Sequence, residues 1–323
     1  MTPELLKERL TSVLGSPRQL QIYFVIKQND VYSLRLADIE DEKTRPEVQR
    51  LFEDAVREAI ISNEDLTIRN LSSDDEAANA LYRYDFDSYP EELSLFRDFN
   101  IKEAVDSPKF NFHQDSLSHL FGYIICEGSM ENCFALFKKH YPISLIKRES
   151  FLLGAIKDEE RFEVLSGDDI IRLNGCFQLI RVDDAVYVLD LSVLEKSLGF
   201  SELIKKAAIK NIEAINSLGI IEDIETLSET VESLSFARKL SRINSTSPIF
   251  KLKIPAMTIL EFSKTYPGLS GQFKYSEDGN KIRLDTKKSK NLFLKLMNDA
   301  FLRSELTKQY YEALAKDMVA EEA

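Results

Sequence analysis

The chain has 323 residues, a formal net charge of −12, 44% hydrophobic and 30% charged residues, and no tryptophan. That composition belongs to a folded protein long enough for two domains and excludes low-complexity and collagen-like classes. No stretch approaches the roughly 20 apolar residues of a bilayer-spanning helix, and the N-terminus lacks the apolar core expected of a secretory signal.

In chain order, Pro3 in a first turn predicts a short N-terminal helix. Alternating apolar and polar residues over 19–27 and 31–36, around Gln28-Asn29-Asp30, predict a hairpin. A helix is expected over 45–62, capped by Thr44, with Val48, Leu51, Phe52, Ala55, Val56 and Ala59 as its buried stripe. The acidic stretch 63–115 offers a short strand at 81–86 and a helix at 91–99. From 117 to 191 strand follows strand, at 120–126, 133–137, 150–156, 162–165, 169–173, 176–182 and 185–191. Turn signals such as Asn174-Gly175 and Asp183-Asp184 separate them without any helical period, which predicts an antiparallel meander.

After Leu191 the period becomes helical. Ser201-Glu202 opens a helix that Gly219 stops, and a second runs over 224–243. Then come a strand at 249–254, a helix at 256–266 halted by Pro267-Gly268, a hairpin of 272–275 with 281–284, and closing helices at 287–300 and 305–319. The predicted class is α+β. Residues 1–190 form a mixed domain with an antiparallel β meander, and residues 191–323 a mainly helical domain with a β hairpin.

Enzymatic signatures are scarce. The 11 glycines spell no phosphate-binding loop, and no nucleophile elbow is present. His113, His119 and His140 match no zinc pattern. Cys126, Cys133 and Cys176 have no metal-like spacing, although Cys126 and Cys133 can face each other across a hairpin. Metal-dependent nuclease chemistry needs convergent carboxylates. Asp168, Asp169, Asp183 and Asp184, flanking neighbouring strands, keep that alternative open. The expectation is a protein without catalytic residues, metal or cofactor.

The charge distribution points elsewhere. Residues 236–295 hold 13 lysines and arginines against four acids, a net of +9, whereas residues 1–130 carry −11. Such a separation speaks of partners, with a polyanion for the basic end. Arg238, Lys239 and Arg242 suit a helix C-terminus, and Lys251 and Lys253 the solvent face of a strand. Lys287, Lys288 and Lys290 are different. With Thr286 as cap they fall in the first turn of a helix, where each exposed cation costs about 0.3–1 kcal/mol against the dipole. Lysines around free helical N–H groups form a phosphate clamp. A second cluster, Lys138, Lys139 and His140 followed by Lys147 and Arg148, is expected in a loop after strand 133–137.

Several segments carry a family likeness. They are Val186-Tyr-Val-Leu-Asp-Leu, Leu194-Glu-Lys-Ser-Leu-Gly-Phe, Phe236-Ala-Arg-Lys-Leu-Ser-Arg-Ile and, above all, Asn298-Asp-Ala-Phe-Leu-Arg-Ser-Glu-Leu-Thr-Lys-Gln-Tyr-Tyr-Glu. Together with the helix over 201–215 and the strand at 248–254 they resemble the KwaB-like proteins, the soluble component of the bacterial Kiwa anti-phage system. The likeness covers about 117–316. It implies a non-enzymatic, cytoplasmic homodimer that binds phage double-stranded DNA, blocks its replication and transcription, and is recruited to the inner membrane by a KwaA-type membrane protein without inserting itself. The DNA-binding candidates read from charge are Lys287, Lys288, Lys290, Lys138, Lys139, Lys147 and Arg148. A Mg²⁺-dependent nuclease and a protein-interaction scaffold are the alternatives.

Overall fold

The Thr2 side chain accepts the Leu5 amide and Pro3 takes the first helical position, so helix α1 (Pro3–Leu14) starts where the sequence places it. The computed structural model describes residues 1–312 except Arg18, Asp41, 73–76, 142–152, 157–160, 165–170, Arg242, 244–246 and Glu305. For 153–156 and 161–164 it describes the backbone alone. The chain forms two units, Met1–Phe200 and Ser201–Ala323.

In the first unit, β1 (Gln19–Gln28) and β2 (Val31–Leu36) pair across Asn29 and Asp30, whose φ angles are 50° and 60°. Positive φ at both central residues makes the turn whose twist matches that of the strands. Four further strands continue the sheet: β3 (Thr67–Asn70), β4 (Ala80–Arg83), β5 (Leu120–Gly128) and β6 (Cys133–Lys139). A separate hairpin, β7 (Leu153–Ile156) with β8 (Arg161–Val164), precedes β9 (Leu179–Val182) and β10 (Ala185–Val188). The main sheet has eight strands in the order β2-β1-β5-β6-β9-β10-β4-β3, and only β3 and β4 run parallel.

Helix α2 (Thr44–Val56), continued by a π-helical turn at Arg57–Ile61, covers one face of this sheet together with α1. Leu6, Leu10, Phe52, Val56 and Ile60 pack there against Ile22, Tyr123, Ile125, Phe134, Leu136 and Ile180. Side chains alternate along a strand, so Tyr23, Ile124 and Phe137 point to the opposite face. Short helices α3 (Ser94–Arg97) and α4 (Ile101–Ala104) belong to that side, with Phe96 5.6 Å from the Phe137 ring and Phe99 5.3 Å from the Tyr23 ring. Because both faces are covered, β5 and β6 read as nearly continuous apolar runs.

At Gly122 the two strands approach closely. A Cβ there would lie 2.8 Å from the Lys138 carbonyl and 3.1 Å from the Phe137 ring, so the Phe137 side chain occupies the room glycine leaves. The expected meander is present as β5-β6-β9-β10. Two details of it change. The β7–β8 pair stands outside the main sheet, and residues 171–173 of the expected strand at 169–173 are not strand. Ile171 and Leu173 are nevertheless packed on the core, which accounts for their apolar alternation.

The unit ends with α5 (Leu191–Ser197), capped by the Asp190 carboxylate, which accepts the Val193 amide at 3.0 Å. In the second unit, α6 (Phe200–Asn216) is held to α8 (Leu234–Ser241) by Asn211, whose side-chain amide donates to the Leu240 and Ser241 carbonyls at 2.8 and 2.7 Å. The helix expected over 224–243 is broken. α7 (Glu225–Ser228) and a 3₁₀ turn stop at Ser233, which is extended at φ −80° and ψ 110°.

Residues 249–254 do not form a strand. Ser247 caps the Phe250 amide and Pro248 starts the short helix α9 (Pro248–Lys251), which Lys253 ends at φ 54°. Local capping overrides the alternation, and Leu252 is left 73% exposed. α10 (Ala256–Thr265), the hairpin β11 (Lys274–Tyr275) with β12 (Ile282–Arg283), and α11 (Lys287–Met297) follow as expected. The described part of the last expected helix is instead a hairpin, β13 (Phe301–Arg303) with β14 (Tyr310–Glu312). Its turn is closed by the Ser304 amide donating to the Gln309 carbonyl and the Thr307 amide to Ser304 Oγ. Leu302, Leu306 and Tyr310 therefore form no buried stripe, and Leu306 is 93% exposed.

Candidate functional site

Helix α11 presents the exposed lysines by an ordinary amphipathic arrangement. Phe293, Leu294, Leu296 and Met297 are buried, whereas Lys287 and Lys288 are exposed and Lys290 half-buried. Thr286 and Ser289 form a reciprocal capping box, with the Ser289 amide 3.0 Å from Thr286 Oγ1 and the Thr286 amide 3.1 Å from Ser289 Oγ. The cap sets the helix start without any acidic residue in the first turn.

The nearest upstream acid, Asp285, turns towards the preceding hairpin. It lies 3.6 Å from Lys274 and 3.8 Å from Arg283, and Arg283 also meets Glu222 at 3.0 Å. Two of the hairpin's cations are thus neutralised. Among the described residues Lys287, Lys288 and Lys290 have no ion-pair partner. The rest of the basic block divides in the same way. Arg238 is 4% exposed, Lys264 donates to the Gly279 carbonyl at 2.6 Å, and Lys295 pairs with Glu312. Lys251, Lys253 and Lys281 are exposed and enlarge the cationic surface of this unit.

The second cluster is not a solvated loop. Lys138 and Lys139 are the last residues of β6, drawn into the sheet by pairing with Tyr123 and Gly122. Lys138 is 7% exposed and donates to Asn174 Oδ1 and, at 2.8 Å, to the Cys176 carbonyl. Burial lowers its pKa. Lys139 lies over the Phe121 ring, 3.5 Å from its centre, and donates to the Phe121 carbonyl at 3.0 Å. Burial and then nearby Lys27 bring its pKa down to about 8. His140 is buried with Nδ1 2.6 Å from the Tyr123 hydroxyl, and burial followed by the two lysines lowers its pKa. Lys139 and His140 line a cavity of about 240 Å³ with Lys27, Ser118, His119 and Phe121. Lys27 was hidden in the sequence by the polar alternation of its strand. Lys147 and Arg148 lie outside the described residues.

Lys138 therefore has a structural assignment. Lys138→Ala is expected to lower the stability of the first unit by about 1–2 kcal/mol through lost hydrogen bonds, measured by thermal melting. In a duplex-binding assay the folded variant should behave as the parent protein does. A large affinity loss at unchanged stability would return Lys138 to the binding surface.

The carboxylates considered for metal binding are separated in role. Asp183 sits at φ 52° in the β9–β10 turn and is paired with Arg9 at 2.8 Å, and Asp184 is exposed. Asp168 and Asp169 are outside the described residues. Among the described residues, no group of three or more histidine, cysteine or carboxylate side chains is arranged to hold a metal ion. No helix among them is long and apolar enough to cross a membrane.

Comparison with known proteins matches the second half of this architecture and more. A family model described as Kiwa protein KwaB-like matches residues 117–307. Kiwa protein KwaB of Escherichia coli O55:H7 (strain RM12579 / EPEC) is 29% identical over 325 residues, which covers 99% of this chain and 100% of that protein. No solved structure matches. The matched range runs from β5 through α11 to the β13–β14 turn, and on that ground the chain belongs to the KwaB-like family of Kiwa proteins and has a role in anti-phage defence.

Proposed function

We propose that this protein is a non-enzymatic Kiwa effector that occupies phage double-stranded DNA and blocks its replication and transcription. The observation that carries the reading is the α11 N-terminal turn, where Lys287, Lys288 and Lys290 stand without acid partners among the described residues on a capped helix end. Free N–H groups, the helix dipole and mobile ammonium groups together favour phosphate oxygens. None of these groups reads base edges, so binding is indifferent to sequence and driven by counterion release. The acidic first 130 residues suit contact with Lys/Arg-rich cytoplasmic loops of a KwaA-type membrane protein. The effector would be a cytoplasmic homodimer held at the inner membrane by that partner.

A salt series of duplex binding tests this. With about 4–8 phosphates engaged, the slope of log K against log salt should be roughly −4 to −7. Absence of salt-dependent binding would remove the DNA reading and leave a protein-interaction scaffold. Incubation of DNA with Mg²⁺ should leave it intact; cleavage would replace occupancy with a nuclease.

A further inference from the structure

Two of the three cysteines share one face of the β5–β6 ribbon. The register pairs Cys126 with Ala135 and Gly128 with Cys133, which makes Cys126 and Cys133 diagonal neighbours. The register sets the two thiol-bearing side chains side by side on that face. Gly128 makes room for this arrangement. It has φ 137°, and a Cβ there would stand 2.8 Å from the Cys133 Cβ and 2.3 Å from the Asn132 carbonyl oxygen.

The surroundings of the two sulfurs differ. Cys126 is fully buried beside Glu127, also fully buried, whereas Cys133 is half-buried. Arg181, opposite Ala135 on the neighbouring strand, and Arg9, paired with Asp183, attract negative charge to Cys133. The neighbouring Cys126 thiol first, and then Arg181 and Arg9 against the opposing effect of burial, bring the Cys133 pKa down to about 7. The Cys126 pKa moves upward, first through the neighbouring Cys133 thiol and then through burial. Of the two sulfurs, the outer one loses its proton more readily, and the thiolate is the nucleophilic form.

We propose that Cys133 is a peroxide-reactive thiol and that Cys126 resolves it into a reversible cross-strand disulfide. The Cys133 thiolate attacks one peroxide oxygen and the O–O bond breaks. The leaving hydroxide takes a proton and departs as water, and Cys133 holds a sulfenic acid. Cys126 sulfur then attacks Cys133 sulfur. The S–S bond forms as the S–O bond breaks, and the thiol proton leaves with the hydroxide as a second water. The two thiols lose two electrons in all, and the peroxide gains them.

Diagonal strand neighbours stand about 7–8 Å apart at Cα, beyond the roughly 4.4–6.8 Å of a relaxed bridge. The bond must draw the ends of β5 and β6 together, and such a strained bridge is readily reduced. Oxidation would therefore be reversible and would tighten the Gly128–Cys133 end of the ribbon.

The test is peptide mass spectrometry of the full-length protein after hydrogen peroxide. The expected result is loss of two hydrogens within the peptide containing both cysteines, restored by dithiothreitol. Cys126→Ser should stop at a dimedone-trapped sulfenate on Cys133, and Cys133→Ser should give neither product, with melting curves confirming that both variants fold. At pH 7 iodoacetamide should modify Cys133 about tenfold faster than it modifies free cysteine, the reference thiol of ordinary pKa. Oxidation confined to Cys176, or a Cys133 alkylated no faster than free cysteine, would overturn the proposal.

Discussion

Changing Lys287, Lys288 and Lys290 together to glutamate should lower duplex affinity about 10²–10³-fold near 0.1 M salt, since each lost phosphate contact forfeits about 0.9 of a counterion. The salt slope should become shallower by about 3. The fold should be unharmed, because two of the three side chains are exposed and the Thr286–Ser289 capping box does not involve them. Glutamate is in fact favoured in a first helical turn, by about 0.3–1 kcal/mol per site. The melting temperature should accordingly hold or rise while binding falls. This opposite movement of stability and affinity separates the variant from a merely damaged protein. Unchanged affinity would remove this helix end as the site, even if the parent binds DNA with a steep salt slope.

Phe137→Ala should have the largest effect on stability. Phe137 is 1% exposed in a central strand, packed against Phe96 and over the backbone gap at Gly122. Truncation of such a ring costs about 3–5 kcal/mol, because the cavity cannot close fully. For a unit of about 200 residues, each kcal/mol shifts the transition by roughly 2–4 °C, so melting should fall by about 6–20 °C. Calorimetry or circular dichroism reads this directly. A shift below about 3 °C, under the value of a single kcal/mol or so, would mean that β6 is not at the packed centre. Because Lys138 and Lys139 follow on the same strand, the same variant should also disturb their hydrogen bonds to Cys176 and Phe121.

Much of the local structure was legible in the residues. Period-two runs marked β1 and β2, with Asn29-Asp30 as the turn between them, and apolar runs between turn signals marked β5 and β6. Thr286 was recognisable as a cap, which placed the three lysines in a first turn. Two misreadings share a cause. At 249–254 and in the described part of 305–319, apolar spacing suggested elements with a buried face, but Leu252 and Leu306 meet no core. Ser247-Pro248 and the Ser304–Gln309 turn decided those segments by local hydrogen bonding instead.

The sequence alone determined the asymmetry of charge, the antiparallel character of the central strands and the unusual placement of cations at a helix start. Those features depend on residues within a few positions of one another, where turn chemistry, capping and side-chain period act. Tertiary structure decided which cations remain available. Strand pairing brings Tyr23 opposite Ile124 and seats Lys138 and Lys139 inside the sheet, and the hairpin before α11 takes Asp285 away from Lys287 and Lys288. Burial and ion pairing join groups far apart in the chain, so a count of lysines could show that a basic surface exists but not which lysines form it.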